Sequence, residues 1–394
     1  MTTMSEANAK FAIDLFGRLK EEHPCDNILF SPVNATSALG VLALASGCEQ
    51  AAEIEKILHW DELQVCARPR SAKYLRTVRR FGKTSNRLKV CICKKTGSKH
   101  WSISSFCTSL KFIYCALRLY RTEVAGIELQ NAPEEARRNI NLWVEIRTHG
   151  KIMDLLPKGS IDCLTQLLQV NTLYFKGQWQ VKFDEQLTVE APFYPHDGDQ
   201  RECQTVLLMN RKGVYNTATV DICGVEVQVL EVPYKDNELS LFVLLPTDCS
   251  PEALQQLEDS LTYEHLLDWS CDLQPAEVDV FIPKFSLERS VYAIEYLDLE
   301  NIQDPEKADF SQATPTEGVA LTQMVHDTFI EIDEEGDEEP EAPVAPGVNV
   351  GKLWNLWLTI LSCITSGTIV PRASLPLAGL LDQNERTFQM HAVF

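Results

Sequence analysis

The chain has 394 residues, of which 45% are hydrophobic, enough to bury a core in one large domain or two ordinary ones. Its formal net charge of −20 argues against nucleic acid or an anionic membrane as the main partner. The composition indicates a soluble, acidic globular protein.

The N-terminal sequence predicts an amphipathic helix over residues 5–20, because Phe11, Leu15 and Leu19 recur at helical spacing between charged residues. It has no basic start followed by an apolar run, so it does not read as a cleavable signal peptide. We expect a cytoplasmic protein, with the extracellular space as the alternative. The 13 scattered cysteines are then expected to be free thiols.

The next part of the chain reads mostly as helix. A short apolar strand is predicted at 27–32, before a buried helix over "NATSALGVLALAS" and an amphipathic helix over "EQAAEIEKILHW". "APEEARRNINLWVEIRT" predicts another helix, because Pro133 and two glutamates suit a first turn. "GSIDCLTQLLQV" predicts a helical or turn segment leading into "NTLYFKGQW".

A basic block interrupts this pattern, since the segment from Leu63 to Thr122 contains fifteen Lys and Arg residues and no Asp or Glu. Such a block is typical of a nucleic-acid patch, but its aromatic and charged residues follow no helical or strand period. We prefer the interpretation that it has no function, as in a splice product or a mis-joined gene model. Cys91 and Cys93 form a C-x-C pair without the further ligands of a zinc site, so no metal site is predicted.

The second half of the chain is rich in predicted strands. "VEVQVLEVPY" and "ELSLFVLLPTD" are apolar or alternating and flank a polar turn at 235–237. "SPEALQQLEDSLTYEHLLDW" predicts a helix that begins at Ser250, "AEVDVFIPKFSLE" a strand, and "GVALTQMVHDTFIEI" a strand pair or bend. Helices first and strands later, without βαβ alternation, predict an α+β fold with a mostly antiparallel sheet.

Motifs of common enzymes are missing from the sequence. It contains no G-x-S-x-G, H-E-x-x-H, G-x-x-x-x-G-K-[ST] or G-x-G-x-x-G motif, and its eight histidines are far apart along the chain. The sequence therefore predicts that the chain is not an enzyme and holds no cofactor.

Several phrases in one order resemble a known family. They are "NILFSPVNATSAL", "NINLWVEIRTHGKIMDLLP", "VNTLYFKGQW", "VQVLEVPYKDNELSLFVLLP", "VDVFIPKFSLE", "PEKADFS" and "VHDTFIEIDEEG". The chain resembles the serpin family, especially its ovalbumin-like intracellular branch, over roughly residues 5–64 and 121–345. The resemblance implies a multi-helix serpin fold with a large, mostly antiparallel sheet, a β-barrel-like C-terminal part and an exposed reactive-centre loop.

The resemblance also implies a function. Inhibitory serpins are suicide substrates: a serine protease attacks the loop, an acyl-enzyme forms, and the cut loop inserts into the large sheet as a new strand. The implied partner is a serine protease. We expect a monomer that binds neither nucleic acid nor a membrane.

The resemblance assigns two groups of site residues. Ser31, Asn34, Asn171 and His326 match the polar cluster where the strands of the main sheet part, so each should be buried and hydrogen-bonded. Asn34 departs from the usual Ser, and the residues alone favour four ordinary satisfied polar groups. Trp179 resembles an aromatic residue near the top of the sheet, where a core tryptophan is equally consistent.

The hinge of the loop departs from an inhibitory pattern. Its residues are Glu334, Glu335, Gly336, Asp337, Glu338, Glu339 and Pro340. On insertion alternate side chains enter the protein beneath the sheet, and burying one unpaired carboxylate such as Asp337 or Glu339 costs several kcal/mol. Pro340 also lacks the N–H that a central strand donates. We therefore predict weak or no inhibition.

Counting from Gly336 as in the family puts the reactive bond at Val350–Gly351, which suits an elastase-like enzyme. The alternative function is that of a non-inhibitory serpin relative, or a truncated or mis-spliced isoform, acting as a binding protein.

The domain prediction is a serpin-like domain at 1–345, in which 65–115 is an atypical basic insert or replacement, and a non-family tail at 346–394. Loss of the family's C-terminal strands would leave apolar faces and sheet edges uncovered, so the fold is expected to be incomplete. The uncharged run 353–371 is long enough to span a bilayer, but its Ser, Thr and Asn residues make a membrane anchor an unfavourable interpretation.

Overall fold

A computed structural model of the chain describes residues 4–23, 26–63, 96–103, 108–195, 204–237, 239–248, 250–335, 363–364, 367–368 and 387–388. These residues fall into two units. The first contains the described residues of Met1–Arg18, Leu29–Phe175 and Leu287–Ile330, and the second those of Leu19–Ile28, Lys176–Ser286 and Glu331–Phe394.

The α-helices of the described residues are α1 (Met4–Glu22), α2 (Pro32–Ala45), α3 (Cys48–Ile57), α4 (Leu110–Cys115), α5 (Pro133–Arg147), α6 (Pro251–Asp259), α7 (Tyr263–Asp272) and α8 (Glu300–Gln303). A π-helical turn, Ala116–Tyr120, continues α4. Short 3-10 helices cover Glu185–Leu187, Lys235–Asn237 and Ala293–Tyr296.

The strands are β1 (Asn27–Ile28), β2 (Thr96–Ile103), β3 (Glu123–Ile127), β4 (Leu167–Lys176), β5 (Val189–Pro195), β6 (Gln204–Ile222), β7 (Val225–Pro233), β8 (Ser240–Pro246), β9 (Gln274–Pro283), β10 (Phe285–Tyr292), β11 (Leu321–Ile332), β12 (Cys363–Ile364), β13 (Gly367–Thr368) and β14 (Thr387–Phe388).

The first unit is built on a five-stranded sheet with the order β10–β11–β4–β2–β3. β2 pairs antiparallel with β4 and parallel with β3. The apolar run of β4 is buried along nearly its whole length, as expected of a strand covered on both faces. Buried residues of α5 join buried residues of β4 and β11 in one core cluster: Ala136, Ile140, Val144, Leu168, Val170 and Val325.

Helix α2 in this unit is buried on nearly every side, because its sequence is mostly apolar and contains no charged residue. It begins at Pro32, and the Ser31 side chain caps it by accepting a hydrogen bond from the Asn34 backbone N–H. Gly40 allows an aromatic side chain to approach the helix, because a Cβ atom there would lie 2.6 Å from Tyr120 Oη.

The second unit contains a sheet with the order β13–β5–β6–β7–β8, in which β9 also pairs with β6. Three short strands of the C-terminal tail add to strands of this unit. β12 pairs antiparallel with β1, β13 pairs antiparallel with β5, and β14 pairs parallel with β9. The predicted boundary between residues 345 and 346 stays a prediction.

The α+β class is confirmed, as are the helix at Pro133–Arg147 and the helix start at Ser250. Four local predictions were wrong. The segment "AEVDVFIPKFSLE" belongs to two strands, β9 and β10, rather than to one. Residues 167–170 begin β4 rather than ending a helix or turn, because a continuously buried strand shows no alternation. Residues 321–332 form one strand. The helix expected after Ser250 is split in two, because Thr262 caps a second helix.

Part of the basic block has regular structure, although its sequence shows no helical or strand period. Residues 96–103 form β2 between β3 and β4, and residues 110–120 are helical. β2 is stabilised by pairing with β3 and β4, so a strand can form there although its sequence has no alternating hydrophobic pattern. Cys91 and Cys93 lie outside the described residues. In the described part of the chain, no helix has the length and apolar character needed to cross a membrane.

Candidate functional site

Ser31, Asn34, Asn171 and His326, the polar cluster, lie together in the first unit and are at most 2% exposed. The Ser31 backbone N–H donates to His326 Nε2 at 2.9 Å, and Asn171 Nδ2 donates to the Asn34 carbonyl oxygen at 2.6 Å. Asn171 is on β4 and His326 on β11, which are neighbours in the sheet. The cluster therefore links two adjacent strands to the start of α2.

The hydrogen bonds of His326 fix its tautomer. Because Nε2 accepts from the Ser31 N–H, the ring proton lies on Nδ1, and the Thr328 hydroxyl, 3.2 Å away, donates to Nε2. Burial lowers the pKa of His326 to about 4, so the ring is neutral at physiological pH. His326 Nδ1 has no hydrogen-bond partner among the described residues.

Asn34 contributes to the cluster through its backbone rather than its side chain. Its carbonyl oxygen accepts from Asn171, and its backbone N–H donates to Ser31 Oγ at 3.4 Å. Its side-chain Nδ2 is buried without a hydrogen-bond partner among the described residues. Asn at this position is therefore compatible with these backbone contacts, but its side chain adds a donor that is unsatisfied among the described residues.

A second group of residues surrounds the end of β11 in the second unit. The group consists of Lys176, Trp179, Lys284, Asp333 and Glu334, and we name it the hinge anchor. Trp179 is 3% exposed and donates from Nε1 to the Asp333 carbonyl oxygen at 2.6 Å. The Trp179 ring stacks on Tyr234, with ring centroids 4.5 Å apart. Trp179 therefore fixes the backbone directly after β11.

The Glu334 side chain is held from two sides. Lys284 Nζ lies 2.7 Å from Oε2, and Thr188 Oγ1 donates to Oε1 at 2.8 Å. Burial acts to raise the pKa of Glu334, but hydrogen bonds from Lys284, from its own backbone N–H and from Thr188 lower it overall. The Phe183 N–H also donates to the Glu334 carbonyl oxygen at 3.1 Å. Glu334, the first residue of the hinge, is thus held both through its ionised side chain and through its backbone.

Lys176, at the end of β4, forms ion pairs with Glu331 at 2.8 Å and with Asp333 at 2.5 Å. Burial acts to lower the pKa of Lys176, but hydrogen bonds to Asp333 and Glu331 raise it above its usual value. These ion pairs tie the end of β4 to the end of β11.

Of the predicted hinge residues, Glu334 and Glu335 are described, and Glu335 is exposed. Gly336, Asp337, Glu338, Glu339 and Pro340 lie outside the described residues, and so does the predicted reactive bond Val350–Gly351.

The sequence reasoning missed Lys176, Lys284 and Thr188. Lys176 and Lys284 were present in the phrases "VNTLYFKGQW" and "VDVFIPKFSLE", each beside a buried strand. A lysine next to an apolar run is a signal for a partly buried ion pair, since lysine is rarely buried without a partner. In the described part of the chain, no group of His, Cys, Asp and Glu residues is arranged to hold a metal ion.

Comparisons with known proteins agree on one family. The family model described as Serpin (serine protease inhibitor) matches residues 6–355. Serpin B3 of Homo sapiens is 33% identical over 361 residues, which cover 88% of this chain and 90% of that protein. The leukocyte elastase inhibitor of Equus caballus is 33% identical over 350 residues, which cover 87% of this chain and 89% of that protein.

Solved structures give the same result. The crystal structure of uncleaved ovalbumin matches with a TM-score of 0.75 at 26% identity, covering 86% of this chain and 88% of that one. The structure of a tumour-suppressing serpin matches with a TM-score of 0.73 at 28% identity, covering 87% and 91%.

The prediction that the chain is not an enzyme is corrected to a statement about its relatives, which are described as inhibitors of enzymes. The family model describes inhibitors of serine proteases, and several relatives, from Equus caballus and Homo sapiens among others, are named as leukocyte elastase inhibitors. Proteins of this description act on an enzyme rather than as one.

Proposed function

The chain belongs to the serpin family, and on this basis we propose that it engages serine proteases through its loop, with a hinge that hinders inhibition. One observation carries the proposal. β4 and β11 are direct neighbours in the sheet, and β11 runs straight into the hinge sequence. A cut loop that folds back along β11 would have to separate it from β4.

The two groups of site residues support a role in that step. The polar cluster links β4 and β11 to α2, and Lys176 ties the end of β4 to residues at the end of β11. Parting the strands breaks or rearranges these contacts. His326 Nδ1 and Asn34 Nδ2, which have no partner among the described residues, are donors available to a rearranged network.

The hinge sequence supports slow or blocked insertion. Asp337, Glu339 and Glu341 alternate along it, so a strand made from them turns three carboxylates toward one face of the sheet. Each buried, unpaired carboxylate costs several kcal/mol even after relaxation. Pro340 and Pro343 cannot donate to a neighbouring strand. A protease would then cleave the loop, complete its reaction and dissociate.

We propose an elastase-like serine protease as the target. Val350 at the predicted reactive bond is small and apolar, which suits an elastase-like protease. Several relatives are named as leukocyte elastase inhibitors, which supports that choice. A cytoplasmic monomer stays our prediction.

A second candidate is a non-inhibitory serpin that acts as a binding protein, and the same hinge composition favours it. Incubation with elastase-like and trypsin-like serine proteases, followed by denaturing gels, tests both proposals. Cleavage without an SDS-stable complex, and without a rise in thermal stability after cleavage, supports a hinge that does not insert. A stable covalent complex in high yield would contradict it. A loop that neither protease cuts would leave protease engagement unsupported and favour the second candidate.

A further inference from the structure

Asp327 is the one residue of β11 that places a carboxyl group inside the first unit, where it is 1% exposed. It follows His326 directly, so its side chain lies on the opposite face of the sheet from the polar cluster. That face also carries Val325 and Phe329, which pack in the core with α5. The carboxyl group of Asp327 is therefore enclosed by apolar neighbours along its own strand.

The surroundings of this carboxyl group suit a neutral acid better than a carboxylate. Ser290 on the edge strand β10 donates its hydroxyl to Oδ2. Oδ1 is buried and has no hydrogen-bond partner among the described residues. An ionised carboxyl group needs donors at both oxygens, and a buried charge without them is costly.

Among the described residues, no charged group around Asp327 offsets the cost of burying its carboxylate. From β10, Glu288 acts on it as a second negative charge. Residues of α5 and β4 in the adjoining core, such as Ile140 and Leu168, are apolar. The Lys151 ammonium faces the Tyr174 and Phe329 rings, at 5.7 and 5.8 Å from their centroids. No cation contributes to the pKa of Asp327 among the described residues.

We propose that Asp327 acts as a proton-controlled catch at the edge of the five-stranded sheet: the neutral acid fits the apolar surroundings between β10 and β11, whereas the carboxylate is a buried charge with a donor at one oxygen only and destabilises their packing. Burial, with a smaller contribution from Glu288, raises the pKa of Asp327 to about 7 against the opposing effect of Ser290. Ser290 is exposed at the sheet edge, which gives the proton a short route to solvent.

The direction of the effect follows from linkage. The folded-state pKa lies above the unfolded-state value, so the stabilising proton is bound at acidic pH and is lost as the pH rises through 7. The folding equilibrium constant should fall tenfold for each pH unit between the two values, on the order of a hundredfold from pH 5 to 8. A looser sheet edge at alkaline pH would separate more easily. The inference concerns the sheet itself and holds whether or not the chain inhibits a protease.

The first test is a carboxyl titration of the full chain labelled with ¹³C-carboxyl aspartate and followed by NMR. We expect one aspartate resonance with a midpoint near pH 7 that is missing from Asp327→Asn. Glu288→Gln should lower this midpoint because it removes a like charge, and Ser290→Ala should raise it because it removes a donor. These two variants keep the test valid if Asp327→Asn does not fold. No aspartate midpoint above pH 5, or a rise in the midpoint of Glu288→Gln, would overturn the proposal.

The second test compares urea unfolding of the protein and of Asp327→Asn at pH 5 and pH 8. The ratio of their folding constants should change on the order of a hundredfold between the two pH values, because the variant lacks the titrating group. Asp221→Asn, at an exposed position in the hairpin between β6 and β7, is the matched control. If the ratio of the folding constants of the protein and Asp327→Asn is the same at pH 5 and pH 8, the proposal is overturned.

Discussion

The ion pair between Lys284 and Glu334 offers a direct test of the hinge anchor. Replacement of Lys284 by Met keeps most of the side-chain stem but removes the charge that faces Glu334 Oε2 at 2.7 Å. The Glu334 side chain is 4% exposed and would lose its cation while keeping the hydrogen bond from Thr188. We expect Lys284→Met to destabilise the protein and to release the first hinge residues.

The size of the effect follows from the exposure of each partner. Loss of one partner from a fully buried pair costs about 3–5 kcal/mol, and an exposed pair contributes about 0–1 kcal/mol. The Lys284 side chain is 40% exposed, so solvent screens its charge. We therefore place the loss for Lys284→Met between these limits, at about 2 kcal/mol.

Urea unfolding at pH 7 measures this loss. The pKa of Glu334 is lowered from its ordinary value of 4.5, so the stability that it contributes is present above that value and is lost as the pH falls through the lower folded value. The difference between Lys284→Met and the unaltered protein should therefore shrink at acidic pH. The matched control is Lys212→Met, whose partner Glu277 is 3.8 Å away and 70% exposed. Equal effects of the two substitutions at pH 7 would refute the argument from burial.

Three further predictions concern single residues. The pKa of His326 is lowered to about 4 from 6.5, so its neutral ring contributes stability that is lost as the pH falls from 6.5 to 4, by about 3 kcal/mol; in urea unfolding, the difference in stability between the protein and His326→Gln should change by that amount over this range, and a constant difference would contradict the burial of a neutral ring. Gly40→Ala should destabilise by about 1–3 kcal/mol because its Cβ meets Tyr120; calorimetry checks this, and a smaller effect of Gly40→Ala in the background of Tyr120→Leu, which lacks the three tyrosine atoms near that Cβ, identifies the clash. Trp179→Phe should cost about 1–3 kcal/mol by leaving the Asp333 carbonyl oxygen without its donor; the result expected if Trp179 only fills space is a loss no larger than that of Phe183→Leu.

Local chemistry made several elements predictable from the sequence. Pro133 with two glutamates, and Ser250 with Pro251, marked helix starts that the structure has at those residues. β2 could not be predicted in this way, because its strand character depends on pairing with β3 and β4. The start of β4 was missed for a related reason, since a strand buried on both faces has no alternating pattern.

Some residues of the candidate site could be found from the sequence, and others only from the fold. Ser31, Asn34, Asn171 and His326 were singled out by family resemblance, because the residues alone read as ordinary buried polar groups. The Lys284–Glu334 contact joins residues 50 positions apart, and no sequence period connects them. Asp327 was overlooked beside His326, since only the fold shows that both of these neighbours are buried, one on each face of the sheet.

We expect the hinge sequence, rather than the sheet, to limit inhibition. The most direct measurement compares the protein with a variant in which Asp337 becomes Thr and Glu338, Glu339, Pro340 and Glu341 become Ala. Both are mixed with an elastase-like protease, and the yield of SDS-stable complex per cleaved molecule is measured. We predict cleavage with little or no complex for the protein and a clear rise in complex for the variant. Complex formation by the protein in the same yield as the variant would contradict the claim.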